Sequence, residues 1–128
     1  MKLNPEAEAF CREKLGGLID HCEGAYGAIL STIDGNELTA ATQRELPTSR
    51  IAAMSSSLVA LGETMAREAR QQACKFVIVE NSDGYAVTMR ITPRLVLTSF
   101  AGKQANLGML LSSSRATADV IASSVKTS

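Results

Sequence analysis

Ala25-Tyr26-Gly27-Ala28-Ile29-Leu30-Ser31-Thr32-Ile33-Asp34-Gly35-Asn36-Glu37-Leu38-Thr39-Ala40-Ala41 is the stretch on which the reading of this chain turns. Two extended-looking runs flank Asp34-Gly35. That pair is a strong hairpin signal, because the turn needs a positive φ that glycine accepts without strain. Two adjacent antiparallel strands are therefore expected, and the rest of the chain has to cover them.

Toward the N-terminus, Ala7, Cys11, Leu15, Leu18 and Cys22 recur at spacings of three and four, which predicts an amphipathic helix over Pro5 to Cys22. Gly16-Gly17 interrupts it at about 1 kcal/mol per glycine relative to alanine, so packing has to hold this stripe together. Toward the C-terminus, Pro47 followed by Thr48 or Ser49 supplies a stop and a cap. Beyond it Ile51, Met54, Leu58, Leu61, Met65 and Ala69 mark a second helix ending near Gln72. Phe76-Val77-Ile78-Val79-Glu80 is a third strand, bounded by the turn Asn81-Ser82-Asp83-Gly84. Tyr85, Val87, Met89 and Ile91 alternate with Ala86, Thr88, Arg90 and Thr92, the period of a half-buried fourth strand. Pro93-Arg94 turns the chain into a fifth strand, Leu95 to Ala101, and Leu107, Leu110, Leu111, Ala118, Ile121, Ala122 and Val125 give a third helix from about Asn106 to Ser124. The order α-β-β-α-β-β-β-α predicts one α+β domain over residues 1–128, a five-stranded antiparallel sheet flanked by helices.

The 128 residues suit a single domain, and 45% hydrophobic with 20% charged residues is the composition of a globular protein. Thirteen basic and thirteen acidic residues leave a formal charge of zero, which argues against nucleic acid as a partner and gives weak protection against self-association. The start Met1-Lys2-Leu3-Asn4-Pro5 lacks the apolar core of a signal peptide. No stretch approaches the roughly 18–20 apolar residues of a membrane span, so a cytoplasmic protein without direct membrane insertion is expected. Cys11, Cys22 and Cys74 form no CxxC pair and accompany one histidine, which points to buried reduced thiols and away from disulfides or zinc.

The chain offers little chemistry. His21 is the only histidine and sits beside the first helix's apolar stripe, without a nucleophile or acid in register with it. Gly102-Lys103-Gln104-Ala105-Asn106-Leu107-Gly108 places glycine and lysine before a helix but lacks the phosphate-loop order, and reads as a loop with Asn106 as N-cap. Asp34 and Asp83 precede turn glycines, where their short side chains suit the turn. No catalytic, metal-binding or cofactor-binding residue is expected, and the chain is read as no enzyme. A ligand-sensing role is disfavoured by the 4% aromatic content and by the absence of a recognisable polar cluster on the inward strand faces.

The second helix carries two stripes. Ile51, Met54, Leu58, Leu61 and Met65 are assigned to the core, while Ala52, Val59 and Ala66 lie on a flank about 100° away. With Ser55, Ser56 and Gly62 that flank is a strip of small residues against which a second helix could pack closely. The third strand is short, apolar and free of proline, a liability as an open edge. One self-complementary patch made of Ala52, Ser55, Val59, Gly62, Ala66, Phe76, Val77 and Ile78 is therefore the expected dimer interface.

Gly27-Ala28-Ile29 leading into Asp34-Gly35, Ala52-Ala53-Met54 with Leu58, Leu61-Gly62-Glu63, and Asn106-Leu107-Gly108 opening the last helix resemble the Roadblock/dynein-light-chain family. The likeness runs from about Leu18 to Ile121, and the long first and last helices are closer to its bacterial form. It implies a homodimer or paralogue heterodimer with a ten-stranded sheet and paired second helices, acting as a non-catalytic platform. In bacteria such proteins often regulate a small Ras-like GTPase, in some cases as its GTPase-activating partner. In eukaryotes they serve dynein or membrane-complex scaffolds, which need no effect on GTP hydrolysis. Under this resemblance Ser56, Ala60, Glu63, Arg67 and Arg70 are expected to contribute to partner docking, with Arg67 the first to test. No arginine is assigned as a catalytic finger, and regulation would act through the GTPase's own switch loops.

Overall fold

The computed structural model describes residues 1–125, and the last three residues of the expected 1–128 domain lie outside them. The elements are α1 (Pro5–His21), β1 (Ala25–Thr32), β2 (Glu37–Thr42), α2 (Thr48–Glu68), β3 (Val77–Asn81), β4 (Gly84–Thr92), β5 (Leu95–Gly102) and α3 (Leu107–Ser124). All strand pairs are antiparallel in the order β2-β1-β5-β4-β3, so β2 and β3 form the two edges of a five-stranded sheet. The order and sheet are those expected from the sequence. The β1–β2 hairpin closes at Asp34-Gly35, where Gly35 has φ +94° and its N–H donates to Thr32 O at 2.9 Å.

Helices α1 and α3 cover one face of the sheet, and α2 crosses all five strands on the other. The larger core lies beneath α1 and α3, where Cys11, Leu15, Leu18, Leu110, Ala118 and Ile121 meet Ala28, Leu30, Val87, Leu95 and Leu97. The paired Gly16-Gly17 is tolerated because this packing holds α1, and Asn4 caps the helix by accepting from Ala7 N–H at 2.8 Å. Asn106 caps α3 in the same way, accepting from Met109 N–H at 3.0 Å.

The start of α2 differs from expectation. Pro47 occupies the cap position without a side-chain bond, Thr48 is already helical, and the Ser49 hydroxyl donates instead to Glu37 Oε1 at 3.2 Å. The helix also ends at Glu68, short of Gln72. Arg70 N–H donates to Arg67 O and Gln71 N–H to Ala66 O at 2.8 Å, with Arg70 at φ 56°, so a Schellman closure turns the chain away early.

Candidate interaction surface

Alternation along the strands sets what α2 meets. Ile29, Ser31, Thr88, Val96 and Thr98 lie opposite the Leu-rich core in the paired registers, on the face that α2 covers. This floor is short and partly hydroxylic. Ser55 Oγ on α2 shares a 2.6 Å hydrogen bond with Thr98 Oγ1, which in turn lies 3.1 Å from Thr88 Oγ1. The Ser56 hydroxyl donates to Ile33 O, and Ser31 Oγ is buried with no hydrogen-bond partner among the described residues. Across the sheet, Ser99 Oγ and Ser114 Oγ share a further bond of 2.9 Å. Inward hydroxyls are thus more numerous than the sequence reading allowed. Their signal was present in Thr88, which falls on the polar phase of β4, but not in Thr98, which shares its phase with Val96 and Phe100.

A small floor selects small residues from α2, and this reverses the expected faces of the helix. Ala52, Ser55, Val59 and Ala66 are the buried residues of α2, packed toward the chain's own sheet. They cannot form an exposed seam for a second copy. Met54, Leu61 and Met65, assigned to the core from the sequence, are 53%, 64% and 70% exposed, with Ile51 and Leu58 half-buried beside them. The short inner side chains let the helix lie close to the sheet: a Cβ on Gly62 would come within 2.7 Å of Val77 Cγ2 and 2.8 Å of Cys74 Sγ. Both stripes have helical spacing, so periodicity alone could not say which one faces inward.

The exposed row continues onto the edge of the sheet. β3 pairs with β4, Ile78 is 43% exposed, and Phe76 and Val77 are half-buried. Between the second half of α2 and the approach to β3 runs a groove of about 800 Å³ lined by Leu58, Leu61, Met65, Phe76, Val77 and Ile78, among others. Toward the start of α2, Ile51, Met54, Leu58, Val79, Ala86 and Phe100 surround an apolar cavity of about 260 Å³ above the Thr88–Thr98 hydroxyls. Exposed large apolar side chains thus line up along α2 and meet the open edge of the sheet. Of the expected interface residues, Ile78 is exposed, Phe76 and Val77 are half-buried at the sheet edge, and Ala52, Ser55, Val59 and Ala66 of α2 are buried.

The residues expected to dock a partner spread around α2. Ala60, Arg67 and Arg70 are exposed, Ser56 is half-buried with its hydroxyl turned inward, and Glu63 Oε2 is 3.2 Å from Arg90 Nε. Cys11 and Cys22 are buried, and burial raises both thiols above the ordinary range, with a Ser113 hydrogen bond partly opposing this at Cys22. Cys74 is half-buried, unlike the expectation of three core thiols. His21 is exposed and its Nδ1 bonds Gly17 O at 2.7 Å. Among the described residues no group of three or more His, Cys, Asp or Glu is placed to hold a metal ion, and no helix is long and apolar enough to cross a membrane.

Solved structures share this fold. An MglB in a tetrameric arrangement superposes with a TM-score of 0.88 at 16% identity, covering 96% of this chain and 93% of that one. The gliding protein MglB of Thermus thermophilus gives 0.87 at 14% identity, covering 96% and 93%. A Roadblock/LC7 domain from Streptomyces avermitilis gives 0.80 at 19% identity, covering 86% and 92%. No protein-family profile and no curated protein sequence matches the chain. The chain therefore has the Roadblock/LC7 fold, as its motif order suggested.

Proposed function

We propose that this protein is a non-catalytic dimeric platform that binds and regulates a small Ras-like GTPase. The observation that carries this reading is the exposed row of Met54, Leu61 and Met65, with half-buried Leu58 beside them, joined to the β3 edge on a Roadblock/LC7 fold. Pairing β3 with its copy would extend the sheet to ten strands and bring the outward faces of two α2 helices together. This removes an open edge and an apolar row in one two-fold contact. Full burial of each large side chain contributes roughly 1.5–3 kcal/mol, from which association entropy must be subtracted. The remaining outer surface of the helix pair, including Ala60 and Arg67, is then presented to the GTPase.

Regulation requires a difference in affinity between nucleotide states, since a partner that binds both equally shifts nothing. The test measures binding of the purified chain to a cognate small GTPase loaded with GDP or with a non-hydrolysable GTP analogue. Tighter binding to the GTP form, with no nucleotide bound by the chain alone, is the expected result. Equal binding to both forms would favour a scaffold without effect on hydrolysis.

A further inference from the structure

The far end of α2 carries a charged hollow beside the apolar groove. Arg90 lies on the α2 face of β4, two residues past Thr88, whose partner Val77 is the first residue of β3. Beyond that point the connector between α2 and β3 replaces a neighbouring strand. A concavity of about 440 Å³ opens here, lined by Glu63, Arg67, Gln72, Ala73, Cys74 and Arg90. Ala73 and Cys74 also line the apolar groove, so the two sites share a wall.

Its charges are unbalanced. The Arg90 guanidinium contacts Glu63 through Nε at 3.2 Å, and among the described residues no other bond engages its terminal amino groups. Arg67 uses Nη2 toward the Thr64 hydroxyl at 3.2 Å. Two guanidinium groups therefore line one hollow that contains a single carboxylate. Guanidinium forks match carboxylates in a planar, two-bond geometry, and charge-assisted bonds of this kind are about twice as strong as neutral ones.

We propose that this hollow receives an Asp or Glu side chain of the docking GTPase, with Arg67 and Arg90 as the two arms that hold it. The assignment rests on the platform reading above and names the chemistry of its contact. A singly charged carboxylate would complete a cluster of two guanidiniums and two carboxylates. A phosphate, with more negative charge, would meet stronger repulsion from Glu63 in the same space. The shared wall puts the charged hollow at the polar rim of the apolar groove that the second copy covers in the proposed dimer.

Two measurements test it. In the first, the side-chain Nε–Hε resonances of Arg67 and Arg90 are followed by NMR while acetyl-Gly-Glu-Gly-amide, its Gln counterpart, or inorganic phosphate is added. The Glu peptide is expected to shift both arginines saturably, with the Gln peptide without effect and phosphate weaker. Equal shifts with Glu and Gln, no shifts, or tighter binding of phosphate would overturn the assignment. In the second, Arg67→Gln and Arg90→Gln are each expected to weaken GTPase binding about tenfold and flatten its salt dependence, with the dimer mass unchanged. Unchanged affinity for the GTPase, or loss of the dimer in either variant, would overturn it. If the wild-type chain binds no GTPase while the Glu peptide still shifts both arginines, the platform reading falls and the carboxylate site stands.

Discussion

Arg70 holds a left-handed backbone conformation at the position after a helix where glycine is usual. A side chain there costs about 1–2 kcal/mol, so Arg70→Gly is expected to raise stability by about 1 kcal/mol in urea unfolding, after the greater freedom of glycine in the unfolded chain is counted. Val59 and Leu61 make the opposite contrast. Val59 is 3% exposed beneath α2, and Leu61 is 64% exposed above it. Val59→Glu is therefore expected to unfold the subunit by burying an unpaired charge, and Leu61→Glu to leave the fold intact while dissociating the dimer. Circular dichroism and sedimentation together separate these outcomes. Similar behaviour of the two variants would contradict the assignment of faces. The sequence reading had Val59 in the seam, since small and large residues share the same helical period. Only the hydroxyl floor of Ser31, Thr88 and Thr98 decides between the stripes.

At the scale of elements, α1 and its C-terminal cap carry the two buried thiols, Cys11 and Cys22. Burial raises both in the folded state, so their ionisation begins at lower pH in the unfolded chain. The stability they contribute is complete below the ordinary thiol range, about pH 8.5, and is lost as pH rises through the raised folded values. Unfolding free energy should thus fall between neutral and alkaline pH, and the fall should shrink in Cys11→Ala. A pH dependence identical in the two proteins would count against it. Helix α2 is secured differently. Its inner contacts are short side chains and a Ser55–Thr98 bond, and its largest residues face outward. Ser55→Ala should cost about 1 kcal/mol, because Thr98 keeps its contact with Thr88. The element order and the hairpin at Asp34-Gly35 were legible because turn chemistry and periodicity are local. The end of α2 was not, since a Schellman closure built on Arg70 and Gln71 lacks the glycine that usually announces it.

For the molecule as a whole, the dimer should persist at micromolar concentration. Met65→Glu should dissociate it, while Val120→Glu, a comparable change on exposed α3, should not. A wild-type monomer at tens of micromolar in sedimentation would end the two-fold proposal. The sequence by itself determined the strand and helix order and the antiparallel sheet, the element order of the Roadblock/LC7 fold, because turns, caps and hydrophobic periods act over a few residues. It also marked β3 as a short apolar edge, while on α2 it pointed to the small-residue stripe that lies buried against the sheet. Tertiary structure alone decided which stripe of α2 meets the sheet, that Arg67 and Arg90 converge on one hollow, and that Ser55, Thr88 and Thr98 are linked beneath the helix. These depend on side chains far apart in the chain meeting across strands and helices, where packing volume and hydrogen-bond partners, and not local spacing, set the lowest free energy.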